Sequence, residues 1–76
     1  MHTKSMKKIE KVKLYQIPRG SKIKARLRMI TFHHMDGMYS YCTVDGLEDP
    51  ANVGANVIHL SASTPLKKVG DHYVIV

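Results

Sequence analysis

KIKARLRMITFHHMDGMYSYC, residues 22–42, opens as a basic and apolar alternation and becomes a run of histidines and aromatics. Alternation with period two marks a strand, because successive side chains leave opposite faces of the pleat. In the first half it sets Ile23, Ala25, Leu27 and Met29 on one face and Lys22, Lys24, Arg26 and Arg28 on the other. Asp36-Gly37 then falls between two strand-like runs, a pairing that predicts a two-residue hairpin loop. Such a loop opposes Met35 to Met38, His34 to Tyr39, His33 to Ser40, Phe32 to Tyr41 and Thr31 to Cys42. Its register gathers Ile30, Phe32, His34, Tyr39, Tyr41 and Thr43 on one face and leaves Met29, Thr31, His33, Met35, Met38, Ser40, Cys42 and Val44 on the other.

Which face meets water decides what the hairpin is for. An unbroken strand from 22 to 35 would join the basic row to Phe32 and His34, but it would be about 14 residues long, well beyond the usual five or six. The adjacent apolar pair Met29-Ile30 is where a bulge or bend would switch faces and turn Ile30 and Phe32 inward. The chain has one Phe and no Trp. Leaving Phe32 in water would forfeit roughly 1.5 to 3 kcal/mol of burial, which a small core can ill spare. Phe32 is therefore expected inside, with Val12, Leu14, Leu60 and Ile75.

The same periodicity continues on both sides of this stretch, and no helical spacing competes with it. KVKLYQI, residues 11–17, reads as a first strand that Pro18 and Gly20 end in a turn. Residues 45–56 have the Gly, Pro, Asn and Asp density of a loop, long for a chain of 76 residues. VIHL resumes a strand, SASTP breaks it, and Gly70-Asp71 predicts a closing hairpin with Val69 opposite His72, Lys68 opposite Tyr73 and Leu66 opposite Ile75. The fold expected is all-β: a small SH3-like barrel of five or six antiparallel strands over residues 8–76, or, as the alternative, an OB-type barrel. Residues 1–7 are polar and basic and are expected to form a disordered extension, with Met6 a candidate for the natural start.

Charge is split along the chain. Residues 1–28 carry Lys4, Lys7, Lys8, Lys11, Lys13, Arg19, Lys22, Lys24, Arg26 and Arg28 against Glu10 alone, whereas residues 29–76 hold Lys67 and Lys68 against Asp36, Asp45, Glu48, Asp49 and Asp71. Such a dipole steers an anionic partner to one side or simply keeps a small domain soluble. Cys42 is the single cysteine, which excludes an internal disulfide and suits a reducing compartment. No apolar run approaches the roughly 20 residues of a membrane span, and no secretory leader follows the basic start. A cytoplasmic protein is expected, without membrane contact.

Chemistry-bearing patterns are sparse. His33 and Cys42 fall diagonally on one predicted face, and His34 and His59 are within reach of a metal-site hypothesis, yet the short paired spacing of a structural zinc site is missing. No metal and no cofactor are expected. Five histidines do not by themselves place an acid and a base across a phosphate, so the chain is expected not to be an enzyme. Tyr39 and Tyr41, two residues apart, are either a packed aromatic pair or a stacking platform for bases.

The hairpin ITFHHMDGMYSYC, followed by VIHLSASTPLKKVGDHY, resembles short β-barrel proteins of the kind found in bacteriophage genomes. The resemblance covers roughly residues 14–75 and implies a small accessory protein that binds another macromolecule, in the host cytoplasm if phage-encoded; it brings no site residues with it. The leading functional expectation is a non-enzymatic interaction module that recognises a protein partner or a second copy of itself through a strand edge or the 45–56 loop. The alternative is a nucleic-acid-binding barrel, with Lys11, Lys13, Lys22, Lys24, Arg26 and Arg28 on phosphates and Tyr39 or Tyr41 stacking. Exposure of the tyrosines beside the basic row is the feature that separates the two.

Overall fold

The computed structural model describes residues 11–76; the expected N-terminal extension, residues 1–7, lies outside them. The described chain is all-β, with no α-helix. Seven strands form one mixed sheet: β1 (Lys11–Lys13), β2 (Lys22–Ala25), β3 (Arg28–Asp36), β4 (Tyr39–Val44), β5 (Val57–Ile58), β6 (Pro65–Val69) and β7 (His72–Ile75), in the spatial order β1-β6-β7-β2-β3-β4-β5. The expectation of a small barrel-like all-β fold holds, and three details differ. There are seven strands rather than five or six, β2 and β7 run parallel, and the two outer strands do not pair with each other.

The gap between the outer strands is bridged by other means. The segment from Leu60 to Thr64 is held on one side by β4, where the Ser40 amide donates to the Leu60 carbonyl at 2.8 Å and the Ala62 amide to the Met38 carbonyl at 2.8 Å. On its other side the Leu14 amide donates to the Thr64 carbonyl at 3.0 Å and the Tyr15 amide to Ala62 at 3.2 Å. Those last donors belong to a single 3₁₀ turn, Leu14–Gln16, which replaces the second half of the strand expected over 11–17. The turn lets Leu14 and Ile17 both point inward, because a spacing of three returns a side chain to the same side.

Ser40 is the buried polar side chain at this seam. Its hydroxyl donates to the Leu60 carbonyl at 3.0 Å, accepts the Leu60 amide at 3.1 Å and lies 3.2 Å from Cys42 Sγ, so it enters the core satisfied. Around it the core is built from Leu14, Ile17, Ile23, Ile30, Phe32, Cys42, Val44 and Leu66. Val12, Leu60 and Ile75, expected inside with Phe32 and Leu14, are partly buried at its margin.

Residues 22–42 adopt a different register from the expected one. The face switch does not occur at Met29-Ile30. A two-residue turn at Arg26-Leu27 separates β2 from β3, with Ala25 opposite Arg28, and Arg26 has a φ of 58°. The turn has no Gly, Asn or Asp, which is why its sequence reads as continuous strand. At the next hairpin Asp36 pairs with Tyr39, so the loop residues are Gly37 and Met38 rather than Asp36 and Gly37. Gly37 has a φ of 69° while Met38 stays negative, the combination of a type II′ turn. Shifting the loop by one residue would put Phe32 on the wet face; a bulge between Phe32 and His34 absorbs the shift. Phe32 therefore pairs with Cys42, not Tyr41, and sits in the core at 2% exposure. The Gly70-Asp71 hairpin forms with the expected pairs.

Phe32→Ala should lower stability by roughly 3 to 5 kcal/mol in denaturant titration, and an unchanged midpoint would contradict its core placement. Arg26→Gly should raise the melting temperature slightly, by the equivalent of about 0.5 to 1 kcal/mol, because glycine accepts positive φ without the Cβ clash; a fall would contradict a strained turn.

Candidate functional site

Residues paired across a ladder share a face, so the register maps what the sheet shows to solvent. Lys11 pairs with Lys67, Lys67 with Val74, Val74 with Lys24 and Lys24 with Met29, giving one row across five strands. A second row follows about 7 Å further along the strands, where Lys22 pairs with Thr31, Thr31 with Thr43 and Thr43 with Val57. Beyond it His34 pairs with Tyr41, and then Asp36 with Tyr39. All of these lie opposite the core-facing set of Ile23, Ile30, Phe32, Cys42 and Val44. The outer face thus runs from lysines at one end to histidines and tyrosines at the other.

The aromatic end is centred on Tyr41. The His34 ring stacks on it at 5.3 Å with an interplanar angle of 5°, while His33 and His59 meet it edge-on at 5.6 and 6.1 Å. The bulge is what delivers both His33 and His34 to this side. His33 Nε2 lies 2.8 Å from the Thr43 hydroxyl. His59 Nδ1 lies 2.9 Å from the Ser40 carbonyl, and since a carbonyl only accepts, that nitrogen carries the proton. Tyr39, beside the cluster, is 57% exposed.

Between the two ends lies a small polar network. Lys22 Nζ donates to Asp45 Oδ2 at 2.6 Å and to the Thr31 hydroxyl at 2.7 Å, and Thr31 donates to Asp45 Oδ1 at 2.7 Å. The hydrogen bonds from Lys22 and then Thr31 hold the Asp45 carboxyl below the ordinary carboxylate range. At the β6–β7 turn the hydrogen bond from His72 likewise lowers Asp71. On the core side, burial pushes the Cys42 thiol up, against a smaller lowering by its hydrogen bond with Ser40. Cys42 is a buried free thiol with little thiolate character.

Of the residues singled out from sequence, Lys11, Lys13, Lys22, Lys24, Tyr39 and Tyr41 all project from this outer face. Arg26 and Arg28 do not join the row. Arg26 lies in the turn, and Arg28 pairs with Ala25, on the parity of Ile23 and Ile30, where it stays exposed at the rim. The diagonal pair His33 and Cys42 is also undone, because the register shift sends Cys42 into the core and His33 out. Among the described residues no group of three or more His, Cys, Asp or Glu is placed to hold a metal ion. Nor is any described helix long and apolar enough to cross a membrane. Lys67 is the member that sequence reading missed: it reaches the row only through the non-local pairing of β1 with β6.

Compared with protein-family models, curated proteins and solved structures, the chain matches none.

Asp45→Asn gives a check on the polar network. A carboxyl lowered in the folded state adds stability above its unfolded pKa, about 3.9, and loses it as pH falls through the folded value. Lys22 and Asp45 remain 46% and 33% exposed, so the wild type should exceed the variant by no more than about 1 kcal/mol at pH 7. The gap should close on acidification below pH ~4; a gap that persists at pH ~2 would contradict the assignment.

Proposed function

We propose that the protein is a non-enzymatic nucleic-acid-binding module that lays a single strand across the outer sheet face. The observation that carries this reading is the common face of the lysines and Tyr41, with the more exposed Tyr39 beside it. Lys11, Lys67 and Lys24 supply a line of positive charge, and among the described residues none of the three forms an ion pair. Lys22 and the two threonines continue the path toward the histidine and tyrosine rings. Phosphates on such a track release counterions, and unpaired bases stack on flat rings without regard to sequence. Tyr39 and His34, the more exposed rings, offer the stacking surfaces, and Tyr41 stacks against His34.

The reading of a protein-interaction module has less in its favour. Its most direct route is addition of a strand to a sheet edge, and the two edge strands are three and two residues long, β1 being Lys-Val-Lys. Short, lysine-bearing edges discourage pairing. The 45–56 loop stays available to it, with an open hollow lined by residues such as Glu48, Asp49 and Val53. An accessory role in a phage-like setting fits either reading.

Anisotropy titrations with a labelled oligonucleotide test the proposal. Three phosphate contacts, from Lys11, Lys67 and Lys24, imply a log-log salt slope of about −2 for a single strand. Replacing Lys24 and Lys67 together with Ala should bring the slope close to about −0.7 with the melting temperature maintained. Affinity that ignores salt, or an unaltered slope in the double variant, would return the interaction module to first place.

A further inference from the structure

The β2–β3 hairpin tip stands apart from the stacking face and raises a separate question. Arg26 holds a positive φ there, although glycine at the same place would serve the turn without strain. Leu27, next to it, is 96% exposed, the most exposed of the large apolar side chains described. Arg28 follows on the opposite strand, and Lys24 lies two residues before Arg26 on the outer face, at the end of the lysine row. Neither arginine has an acidic partner among the described residues, and nor does Lys24. An apolar side chain at the apex of a two-stranded ribbon, with a guanidinium on each side, is the arrangement of a wedge that enters between base steps while its flanking charges take phosphates.

We propose that Arg26-Leu27-Arg28 is a junction wedge: Leu27 enters against the last base pair where a duplex opens into the single strand carried on the outer face, and Arg26 and Arg28 hold the two backbones. The inference rests on the single-strand reading, because the tip lies beside Lys24, at the lysine end of the face that strand would cross. A single leucine offers too little apolar surface to anchor a domain in a bilayer, and the cations flanking it match a paired phosphate edge. The exposure of Leu27 also means that replacing it leaves the core untouched.

The test uses a DNA duplex with a single-stranded overhang and 2-aminopurine at the terminal base pair, beside the same overhang sequence as a free strand and phosphatidylserine vesicles. Wild-type protein should raise the 2-aminopurine fluorescence. Leu27→Ala should lose that rise while binding the free strand with unchanged affinity, and Leu27→Met should retain it. Normal binding of the free strand without any fluorescence rise, or a rise that survives Leu27→Ala, overturns the wedge and leaves the outer face standing. Failure to bind any of the nucleic acids overturns both readings. Vesicle binding that Leu27→Ala abolishes, with no junction response, would reassign the tip to a membrane and overturn the proposal.

Discussion

One extra residue in β3 sets the two faces of this protein. The Gly37-Met38 loop fixes the pairing of Asp36 with Tyr39 and Met35 with Ser40, and a plain ladder continued from there would point Phe32 outward. The bulge between Phe32 and His34 reverses the alternation, so that Ile30 and Phe32 meet Val44 and Cys42 in the core while His34 meets Tyr41 outside. Core and platform depend on the same irregularity. Straightening the strand would cost burial of the one phenylalanine or disperse the ring cluster, and the bulge avoids both.

The second constraint is the seam at Ser40. A sheet of seven strands whose ends do not pair leaves an open side, and here a non-strand segment, residues 60–64, ties β4 to the turn that follows β1. The buried Ser40 hydroxyl takes both backbone groups of Leu60, which anchors the segment where it passes the core. His59 precedes that anchor directly, and its Nδ1 is bound to the Ser40 carbonyl. The residue that closes the fold from inside thereby positions the His59 ring against Tyr41.

Much of the architecture was legible in the sequence because alternation and turn chemistry are local. The all-β class, the 45–56 loop, the Gly70-Asp71 hairpin and the burial of Phe32 all follow from short windows. Three features were not legible, each for a physical reason. The Arg26-Leu27 turn has no residue with a preference for positive φ, so the pattern gives no sign of it. The hairpin loop and bulge errors cancel for Phe32 but not for Tyr41 or Cys42, which is why the predicted core residue was right while its predicted partner was wrong. The lysine row depends on β1 pairing with β6 and β7 with β2, across about 50 residues of chain, and no local signal encodes that. Lys22 and Lys24 reach the face of Tyr41 through the local β2–β3 and β3–β4 pairings, whereas Lys11 and Lys67 join it only through the non-local ones.

The outer face, shaped by the bulge at His33, is the proposed binding surface. Titrating an unlabelled single-stranded oligonucleotide into isotope-labelled protein and following backbone amide and aromatic ring resonances tests it residue by residue. Shifts should concentrate at Lys24, Lys67, Thr31, His34, Tyr39 and Tyr41, with the core residues Cys42, Phe32 and Leu66 little affected. Shifts confined to residues 45–56, or absent at saturating oligonucleotide, would contradict it.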